Sequence, residues 1–447
     1  MSCDTSVLIL GAGMSGMAAA LAADAVICEK EVAAGGICSS YYVRPGTSER
    51  LSSCPNDEEV YRFEIGGGHW IFGGDPAVLR ALSTFTPLKS YARRSSVYFP
   101  SRNLYVPFPI QNHLKCLGGD TASRILEEII QAPKARPTTM AQWLEQSFGR
   151  SLTELFFAPF HALYTAGLWQ QIAPQDSYKS PVDVALALRG AFEEVPEVGY
   201  NVTFAYPEKG LDGLSRAMAA RCKIRYGREA SRIDLVRREV LFSDGSSERY
   251  GTLISSLPLN RMMELTNFEI AAKPDPYTSV LVLNIGAVRG ERCPDDHWLY
   301  NPENRSGFHR VGFYSNVDTS FLPASARQPH SRTAIYVERS FPGGAKPSDD
   351  TISSYSERVQ RELQEWGFIG DVEVADPTWI DVAYTWAWPG SHWRGEAMRA
   401  LERHGIFPVG RYGRWCFQGI ADSIRDGFIV GAGVKQGAMA ALSLAVA

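Results

Sequence analysis

Apolar residues at the start of the chain come in short unbroken runs separated by glycine. Residues 7–10 read Val-Leu-Ile-Leu, residues 17–23 are mostly alanine, and residues 25–28 form a second short apolar run. A continuous apolar run of this length is typical of a strand buried on both faces of a parallel sheet, and alanine favours helix. The pattern therefore predicts a strand, a helix and a second parallel strand, the opening unit of a doubly wound sheet.

Farther along the chain, the spacing of the apolar residues changes from a helical to a strand-like period. Residues 113–200 are predicted to be helical, with Thr139 and Gln142 forming a capping box. One face of this region carries the apolar residues Leu152, Leu155, Phe156, Pro159, Phe160 and Leu163. Strands are then predicted over 235–245 around an Asp-Gly turn, 253–258, 279–285 and 310–316, and a helix over 351–366.

These elements predict a mixed α/β and α+β fold with three domains. A discontinuous Rossmann-type dinucleotide-binding domain takes residues 1–90, 201–262 and 403–447. A helical-bundle domain takes residues 113–200, and an antiparallel-sheet substrate domain takes residues 91–112 and 263–402. Because interdomain clefts provide concave, dry space, we expect the substrate where the three domains meet.

Composition narrows the function classes. The 447 residues are 45% hydrophobic and 21% charged, with a net charge of −4, which favours neither nucleic acid nor an anionic membrane as a partner. No stretch approaches the ~20 apolar residues of a membrane span, and the first apolar run lacks the features of a signal peptide. Scattered cysteines and histidines show no metal-ligand spacing. We therefore expect a cytoplasmic protein with free thiols and no metal.

A glycine motif follows the first strand directly. Gly11, Gly13 and Gly16 form a GxGxxG pattern that also contains Met14 and Ser15. In this context the first glycine permits the tight turn, the second lets the backbone approach a pyrophosphate, and the third allows close packing of helix on strand. The free N–H groups at the start of the helix would then bind phosphate.

An acidic residue ends the second predicted strand. Glu29 is placed to accept hydrogen bonds from the hydroxyls of a ribose without a 2′-phosphate. The alternative is a solvated acid at a strand end. Together with the glycine motif, Glu29 predicts an ADP-containing cofactor.

Two further segments indicate which cofactor. A glycine pair follows the Glu-Lys dipeptide at 29–30, and this arrangement resembles the two-dinucleotide-domain flavoproteins, such as amine oxidases and phytoene desaturases. Residues 426–433 resemble the C-terminal cofactor loop of those proteins and lead into an alanine-rich segment at 438–447; a plain closing strand–helix unit is the alternative. The resemblance implies non-covalent FAD, with NAD(P)H as the candidate reductant. It places cofactor contacts at Lys30, Gly35, Gly36, Gly427, Phe428 and Ile429.

Four segments show which family of these flavoproteins the chain resembles most. Residues 63–72 contain three glycines before His69, residues 104–113 contain Gln111 and Asn112, residues 298–310 run from Trp298 to Arg310, and residues 410–415 read GRYGRW. Across nearly the whole chain they resemble UDP-galactopyranose mutase, especially its eukaryotic-type branch, whose matching stretches include GGHVIF, YPFQNN and GRFGSW. This family belongs to the amine oxidase and protoporphyrinogen oxidase-like FAD superfamily.

The resemblance implies a role for each matched residue. His69 borders flavin N5, with Gly67 and Gly68 bringing the backbone flush against the flavin ring; the alternative is a structural histidine. Arg310 grips the substrate diphosphate through its fork of donors. Arg411 neutralises the flavin pyrophosphate or its N1 edge, with a surface salt bridge as the alternative. The implied substrate pocket comprises Phe72, Arg94, Gln111, Asn112, Trp298, Tyr300, Arg310 and Phe417, whose aromatic members can instead be ordinary sheet core.

The chain departs from the mutase pattern on the phosphate side. No arginine occurs at 177–181, where the family has one, and Lys179 is the only cation there. Phe417 replaces a tyrosine and Ala421 an asparagine. Because a site built to hydrogen-bond a group rejects ligands that lack it, losing such donors changes what is bound.

Two enzymatic functions and one non-enzymatic function remain open from the sequence. One is mutase-like chemistry on a nucleotide-activated sugar or related anionic substrate other than UDP-galactopyranose, through N5 of reduced flavin. Another is a net FAD-dependent oxidoreductase of the amine oxidase, desaturase or protoporphyrinogen oxidase type. The third is a non-catalytic flavin-binding module. The substrate and the oligomeric state are not determined by the sequence.

Overall fold

The computed structural model describes residues 7–132, 135–175, 183–199, 201–328 and 331–437. The strands in these ranges are β1 (Val7–Leu10), β2 (Val26–Cys28), β3 (Ser40–Val43), β4 (Tyr61–Glu64), β5 (Ile71–Phe72), β6 (Leu88–Ala92), β7 (Ser95–Phe99), β8 (Leu104–Pro107), β9 (Thr203–Pro207), β10 (Lys223–Arg225), β11 (Ala230–Asp234), β12 (Glu239–Phe242), β13 (Ser247–Arg249), β14 (Thr252–Ser255), β15 (Tyr277–Arg289), β16 (Trp298–Tyr300), β17 (Arg310–Phe313), β18 (Arg332–Pro342), β19 (Ile369–Thr385) and β20 (Ile406–Pro408).

The helices in the same ranges are α1 (Met14–Ala23), α2 (Pro76–Ser83), α3 (Gly119–Gln131), α4 (Met140–Leu152), α5 (Ala158–Tyr164), α6 (Val184–Gly190), α7 (Gly210–Ala219), α8 (Leu259–Thr266), α9 (Tyr314–Val317), α10 (Asp349–Glu365), α11 (Trp393–Arg403), α12 (Gly410–Gly413) and α13 (Ile420–Lys435). None of them is long and apolar enough to cross a membrane.

The first apolar run is the central strand of a parallel sheet. β1 lies between β2 and β14 in a five-stranded sheet of order β10-β2-β1-β14-β20. Ile9 packs on the side of α1, while Leu8 and Leu10 belong to the core on the opposite face. Both faces are therefore buried, which is why the run shows no alternation. The predicted strand–helix–strand unit and the predicted strand at 253–258 are confirmed.

The C-terminal segment was predicted wrongly as a cofactor loop. Residues 426–433 lie within α13, which packs along α1. A Cβ at Gly427 or Gly431 would collide with the backbone of α1, at Ser15 and Ala19 respectively. The glycines four residues apart therefore serve close helix–helix packing rather than approach to a phosphate. The predicted alanine-rich helix at 438–447 lies outside the described residues.

A seven-stranded sheet of order β19-β15-β18-β17-β16-β7-β8 forms a second layer. Alternation along β18 places Ile335 and Val337 against α10, and places Tyr336 and Glu338 on the opposite face. The predicted strand at 279–285 and the predicted helix at 351–366 are confirmed as parts of β15 and α10.

The capping box predicted within the helical region is present. Thr139 and Gln142 form the capping box at the start of α4. Gly149 breaks the helix with a φ of 76°, and a short π-helical turn then leads into α5. This turn orients Phe156 and Phe160, which stack on each other with ring centroids 5.4 Å apart.

The small β-meander is present but shifted from its predicted start. β11 ends at Asp234, and Val236 lies in the following turn with 95% of its surface exposed. The predicted Asp244-Gly245 turn joins β12 to β13. The apolar residues at 235–236 led to the prediction of a strand, but backbone hydrogen bonds to the Asp234 carboxylate stabilise a turn there.

A buried histidine makes the stability of this fold sensitive to pH. His297 is 3% exposed, and its Nδ1 accepts from the backbone N–H of Arg94 at 3.3 Å. Burial and the nearby Arg94 charge lower its pKa from 6.5 to about 3. The unfolded chain therefore gains a proton as the pH falls below about 6.5, while the folded chain does not. This histidine alone should reduce the free energy of unfolding by about 2 kcal/mol between about pH 7.5 and pH 5.

We expect His297→Asn to flatten this pH dependence, because asparagine keeps an acceptor and does not titrate. Urea unfolding of both proteins at about pH 7.5 and pH 5 measures the difference. Other buried histidines titrate equally in both proteins and cancel in the comparison. Equal losses in wild type and variant would contradict the assignment.

Candidate functional site

One continuous cavity of about 1160 Å³ connects the glycine motif to the seven-stranded sheet. Its nucleotide end is lined by Gly11, Gly13, Met14, Ser15, Glu29, Lys30, Gly35 and Gly36. Its central part is lined by Gly66, Gly68, His69, Phe72, Arg310, Glu338, Tyr384, Arg411, Phe417 and Gly419. Its far end is lined by Phe108, Trp143, Phe156, Phe160, Tyr164, Tyr300, His309 and Trp386. Most residues predicted for cofactor and substrate therefore face one space.

The glycine motif has the geometry that a dinucleotide needs. Gly11 has a φ of 92°, which only glycine adopts readily, and a Cβ at Gly16 would collide with the carbonyl of Gly11. A Cβ at Gly13 would instead meet no atom within 4 Å. Gly13 is also the N-cap of α1. The open side of Gly13 and the free N–H groups of α1 thus face the same part of the cavity.

Glu29 closes the nucleotide end. It is 8% exposed, and its carboxylate accepts from the backbone N–H of Ala12 at 2.6 Å and of Glu31 at 2.9 Å. These bonds keep one face of the carboxylate against the glycine loop. The N–H of Gly35 donates to the carbonyl of Ala12 at 2.9 Å, which brings the second glycine pair beside the first. Lys30 is exposed and pairs with Glu31.

The three glycines before His69 pack against protein side chains. A Cβ at Gly66 would meet the His69 ring, one at Gly67 would meet the Glu338 carboxylate, and one at Gly68 would overlap Tyr336. Their Cα positions therefore face the protein, while the backbone of Gly66 and Gly68 lines the cavity. The sequence predicted that these glycines allow close approach to a flat ring. Only the side of their backbone that lines the cavity can have that role.

His69 itself faces the cavity as a neutral imidazole. Burial lowers its pKa to about 4, with the Arg411 and Arg310 charges acting in the same direction and Glu338 opposing them. Its Nδ1 is buried and has no hydrogen-bond partner among the described residues. Buried polar atoms in proteins are nearly always hydrogen-bonded, so this nitrogen is a candidate contact for a cofactor or substrate atom.

The strand before this turn is held by a buried carboxylate. Glu64 is fully buried, accepts from the Ser40 hydroxyl at 2.9 Å and from Tyr206, and its carbonyl accepts from Asn284 at 3.1 Å. Burial raises the pKa of Glu64 to about 7. This network joins β3, β4, β9 and β15 below His69, so the turn begins from a rigid base.

Arg310 faces the cavity with its charge already paired. β17 and β18 pair so that Arg310 lies directly opposite Glu338. Its Nε and Nη2 donate to the Glu338 carboxylate at 2.9 and 2.6 Å, and Nη2 also reaches the other oxygen at 2.8 Å. His309 Nε2 lies 3.3 Å from the same carboxylate, and the N–H of Gly68 donates to it at 3.4 Å. Although burial alone raises the pKa of Glu338, these contacts lower it to about 2.

Arg411 sits among aromatic rings on the opposite wall. Its guanidinium carbon lies 4.8 Å from the centroid of Phe417 and 5.3 Å from that of Tyr384, and Nη2 donates to the carbonyl of Ala383 at 3.1 Å. α13 begins beside it, with Gly419 as the N-cap and the Asp422 carboxylate accepting from the N–H of Gly419. The N-terminus of α13 therefore lies at the cavity, where the sequence predicted residues 427–429 to lie.

Aromatic side chains dominate the far end of the cavity. Phe156, Phe160 and Tyr164 form a continuous stack along α5, with neighbouring centroids 5.4 Å apart. Tyr300 contacts Phe160 edge-on at 5.3 Å, and His309 lies 5.3 Å from Tyr164. These rings place mostly apolar surface around the region next to Arg310.

Several predicted site residues lie outside the lining of this cavity. Gly427, Phe428 and Ile429 are in the middle of α13, and Ile429 is 58% exposed. Arg94 lies just before β7, is exposed and donates to the carbonyl of Asn316 at 3.0 Å, and its neighbour Arg93 is the buried one. Gly16, Gly67, Gln111, Asn112 and Trp298 are buried within the protein around the cavity. Lys179 lies outside the described residues.

Sequence reasoning missed Glu338, His309, Tyr384 and the start of α13. Glu338 had a visible signal, since it directly follows the apolar run 334–337 and an ionised group in a buried strand requires a partner. Asp422, three residues after Gly419, was a capping signal for α13. Tyr384 had no local signal, because only the pairing of β19 with β15 brings it here.

No protein-family model matches the chain. Among solved structures it is similar to reduced UDP-galactopyranose mutase, with a TM-score of 0.81 and 21% identity over 98% of this chain and 96% of that chain. It is also similar to a CLA-producing fatty acid isomerase from P. acnes, with a TM-score of 0.57 and 14% identity over 96% of this chain and 98% of that one. Putrescine oxidase bound to putrescine gives a TM-score of 0.56 and 16% identity over the same shares.

These likenesses show the fold. The predicted mixed α/β class with a Rossmann-type domain is confirmed, and the chain has the architecture shared by that mutase, isomerase and oxidase. Identities this low do not carry the activity of any of them to this chain.

The open side of Gly13 makes a direct test of the nucleotide end. We expect Gly13→Val to weaken FAD binding by ~100-fold or more, because the added side chain would fill the approach path of the pyrophosphate. Titration of apoprotein with FAD, followed by flavin fluorescence, measures the affinity.

Gly119→Val is the matched control, since a Cβ there also meets no atom within 4 Å but Gly119 begins α3 outside the cavity. Wild-type affinity for FAD in Gly13→Val, or equal losses in both variants, would refute the site.

Proposed function

We propose that this chain is an FAD-dependent enzyme that catalyses a mutase-like, redox-neutral reaction on an anionic substrate, a nucleotide-activated sugar or a related compound. The observation that carries the proposal is the single cavity in which a dinucleotide-type glycine loop, the unpartnered Nδ1 of His69 and Arg310 all meet. The fold likeness to a reduced mutase at a TM-score of 0.81 supports the choice of chemistry.

The residues present fit FAD. Gly13 and the start of α1 would hold the pyrophosphate, Glu29 would accept from the ribose, and the turn at Gly66–His69 and the N-terminus of α13 would face the flavin ring. Bound flavin would supply an electron-rich N5 when reduced and a hydride acceptor when oxidised. Non-covalent binding is the expectation, since Gly13 and Glu29 require only contact.

The chain's own groups would orient the substrate and keep the site dry. His69 stays neutral above about pH 4, so one ring nitrogen can donate and the other can accept without adding charge. Arg310 would orient an oxygen of the substrate, and Tyr300 and Tyr384 border the same space. The stack of α5 would shield these polar contacts from water, which strengthens them.

A second candidate function is a net oxidoreductase. It is favoured by the pairing of Arg310 with Glu338 and by the aromatic far end, because a site for substrate oxidation does not need uncompensated positive charge. The fold likeness to putrescine oxidase is compatible with it. The two candidates differ in one measurable property, since only the second changes the oxidation state of the substrate.

We expect dithionite-reduced protein, kept anaerobic with a panel of nucleotide sugars, to convert one of them to an isomer without consuming reductant. We expect UDP-galactopyranose to be a poor substrate, turned over more slowly than on the order of 1 per second, because Phe417 lines the cavity and provides no side-chain donor. Product analysis by chromatography and mass is the measurement.

Conversion of UDP-galactopyranose to the furanose at that rate or faster would show that the substitutions are harmless. If the substrate is instead oxidised, and only when the flavin is oxidised, the result would contradict the proposal and support the oxidoreductase function.

Arg310→Lys tests the substrate contact without removing the charge that faces Glu338. We expect KM to rise by about tenfold or more with FAD content unchanged, because Nε and Nη2 of Arg310 are bonded to Glu338 and a lysine ammonium in that pair does not place a donor where Nη1 of Arg310 lies. Steady-state kinetics on the substrate found with the panel gives the value.

Arg339→Lys is the control, since Arg339 lies on the other face of β18 and contacts Ser306 and Phe341. An unchanged KM in Arg310→Lys would remove Arg310 from the substrate site.

A further inference from the structure

His309 is a second buried histidine of the cavity with a ring nitrogen that makes no hydrogen bond. It is 2% exposed, lines the far end of the cavity and directly precedes Arg310. Its Nε2 lies 3.3 Å from the Glu338 carboxylate but completes no hydrogen bond to it or to another described residue. Its Nδ1 lies 3.5 Å from the Ser340 hydroxyl. Since buried polar atoms are nearly always hydrogen-bonded, Nε2 is a candidate contact for a ligand.

The groups packed around the His309 ring leave it neutral. Glu338 faces it from β18, and Arg310 follows it at the start of β17. Tyr164 of α5 and Tyr384 of β19 lie across the ring, with centroids 5.3 and 6.2 Å away. Burial lowers the pKa of His309, with Glu338 opposing this effect and the Arg310 charge adding to it. Burial raises the pKa of Tyr384, so that phenol is uncharged at neutral pH. The charges of Glu338 and Arg310 cancel, so these groups together carry no net charge.

An anionic ligand changes this balance. Among the residues named above for the central and far parts of the cavity, Arg310 and Arg411 are the permanent cations, and Arg411 packs on Phe417 and Tyr384. A diphosphate diester brings two negative charges into this space. A negative charge within about 4–6 Å of an imidazole stabilises its protonated form and raises its pKa by about 1–3. His309 is therefore a group next to Arg310 that can gain a positive charge when an anion binds.

We propose that His309 is an inducible cation of the substrate site, neutral in the free protein and protonated when an anionic substrate group binds beside Arg310. One proton comes from the solvent onto the ring nitrogen that lacks one, and the imidazolium donates to an oxygen of the anion. This inference rests on the proposed function and specifies how its site is charged. Because binding and protonation are linked, the affinity for the anion falls as the pH rises through the pKa of His309 in the complex.

Proton uptake is measured directly by calorimetry. FAD-loaded protein with oxidised flavin is titrated with UDP-galactose at about pH 6 in buffers of different ionisation enthalpy, because neither phosphate of this diester titrates near that pH. We expect uptake of roughly one half to one proton per ligand. The Kd should rise by about tenfold between about pH 6 and pH 8, since bound His309 loses its proton over that range. Binding without proton uptake, or no detectable binding at about pH 6, would overturn the proposal.

His309→Gln removes the titrating group and keeps an amide that can donate where Nε2 lies. We expect the proton uptake to disappear and the Kd for UDP-galactose at about pH 6 to rise by about tenfold, with FAD content unchanged. A merely structural role would weaken binding equally at both pH values and leave the uptake in place. His297→Asn is the control and should keep both properties, because His297 is equally buried and lies outside the cavity lining. Uptake that persists in a yellow, folded His309→Gln protein would refute the role of His309.

If His309→Gln does not fold, the other two histidines of the cavity lining, His69 and His161, decide the assignment. His69→Gln and His161→Gln should each keep the uptake, and its loss in either variant would assign the proton elsewhere and reject the proposal. Failure of this inference is distinct from failure of the proposed function. A protein that isomerises a nucleotide sugar without proton uptake keeps the function and loses the inference. Uptake in a protein that turns over no nucleotide sugar keeps the inference and rejects the function.

Discussion

The contact between the glycine turn at 66–68 and the inner face of β18 holds the site together. This turn follows β4 of the two-stranded sheet β3-β4, and β18 is an inner strand of the seven-stranded sheet. Gly67 faces the Glu338 carboxylate and Gly68 faces Tyr336 at distances that leave no room for a Cβ. The cavity exists where it does because the two layers meet at this contact, with His69 on one side and Arg310 on the other.

The electrostatics of the site follow from the same contact. A carboxylate buried at this position needs donors, and it obtains them from the turn at Gly68 and from Arg310 on the paired strand, while His309 Nε2 lies 3.3 Å away. Replacing such a buried pair with apolar residues is often neutral for stability, while removing one partner costs about 3–5 kcal/mol. A pair of this kind is therefore weak evidence of a role in stability. The bonds to Glu338 do fix the direction in which the Arg310 guanidinium faces the cavity.

The parts of the fold that could be predicted from the sequence are those specified by local pattern. Residues 7–16 predicted β1, the glycine turn and the start of α1 because each residue type there has one main structural use. The capping box at Thr139 and Gln142 and the Asp244-Gly245 turn were equally local. The predicted identity of the cavity-lining glycines at 11, 13, 35 and 36 rested on the same kind of signal.

The misplaced residues show why the rest was harder. Gly427 and Gly431 read as a phosphate loop, yet a glycine that admits a phosphate and one that admits a neighbouring helix look the same in a sequence. What separates them is the partner, and α1 lies about four hundred positions earlier in the chain. Arg93 and Arg94 pose the same problem, since one is buried and its neighbour is exposed. Glu338 is the opposite case. Its charge on the buried face of β18 required a partner, and only the register of β17 against β18 shows that the partner is the arginine assigned to the substrate. That pairing changes the geometry expected of the site, because Nε and Nη2 of Arg310 are already bonded to Glu338.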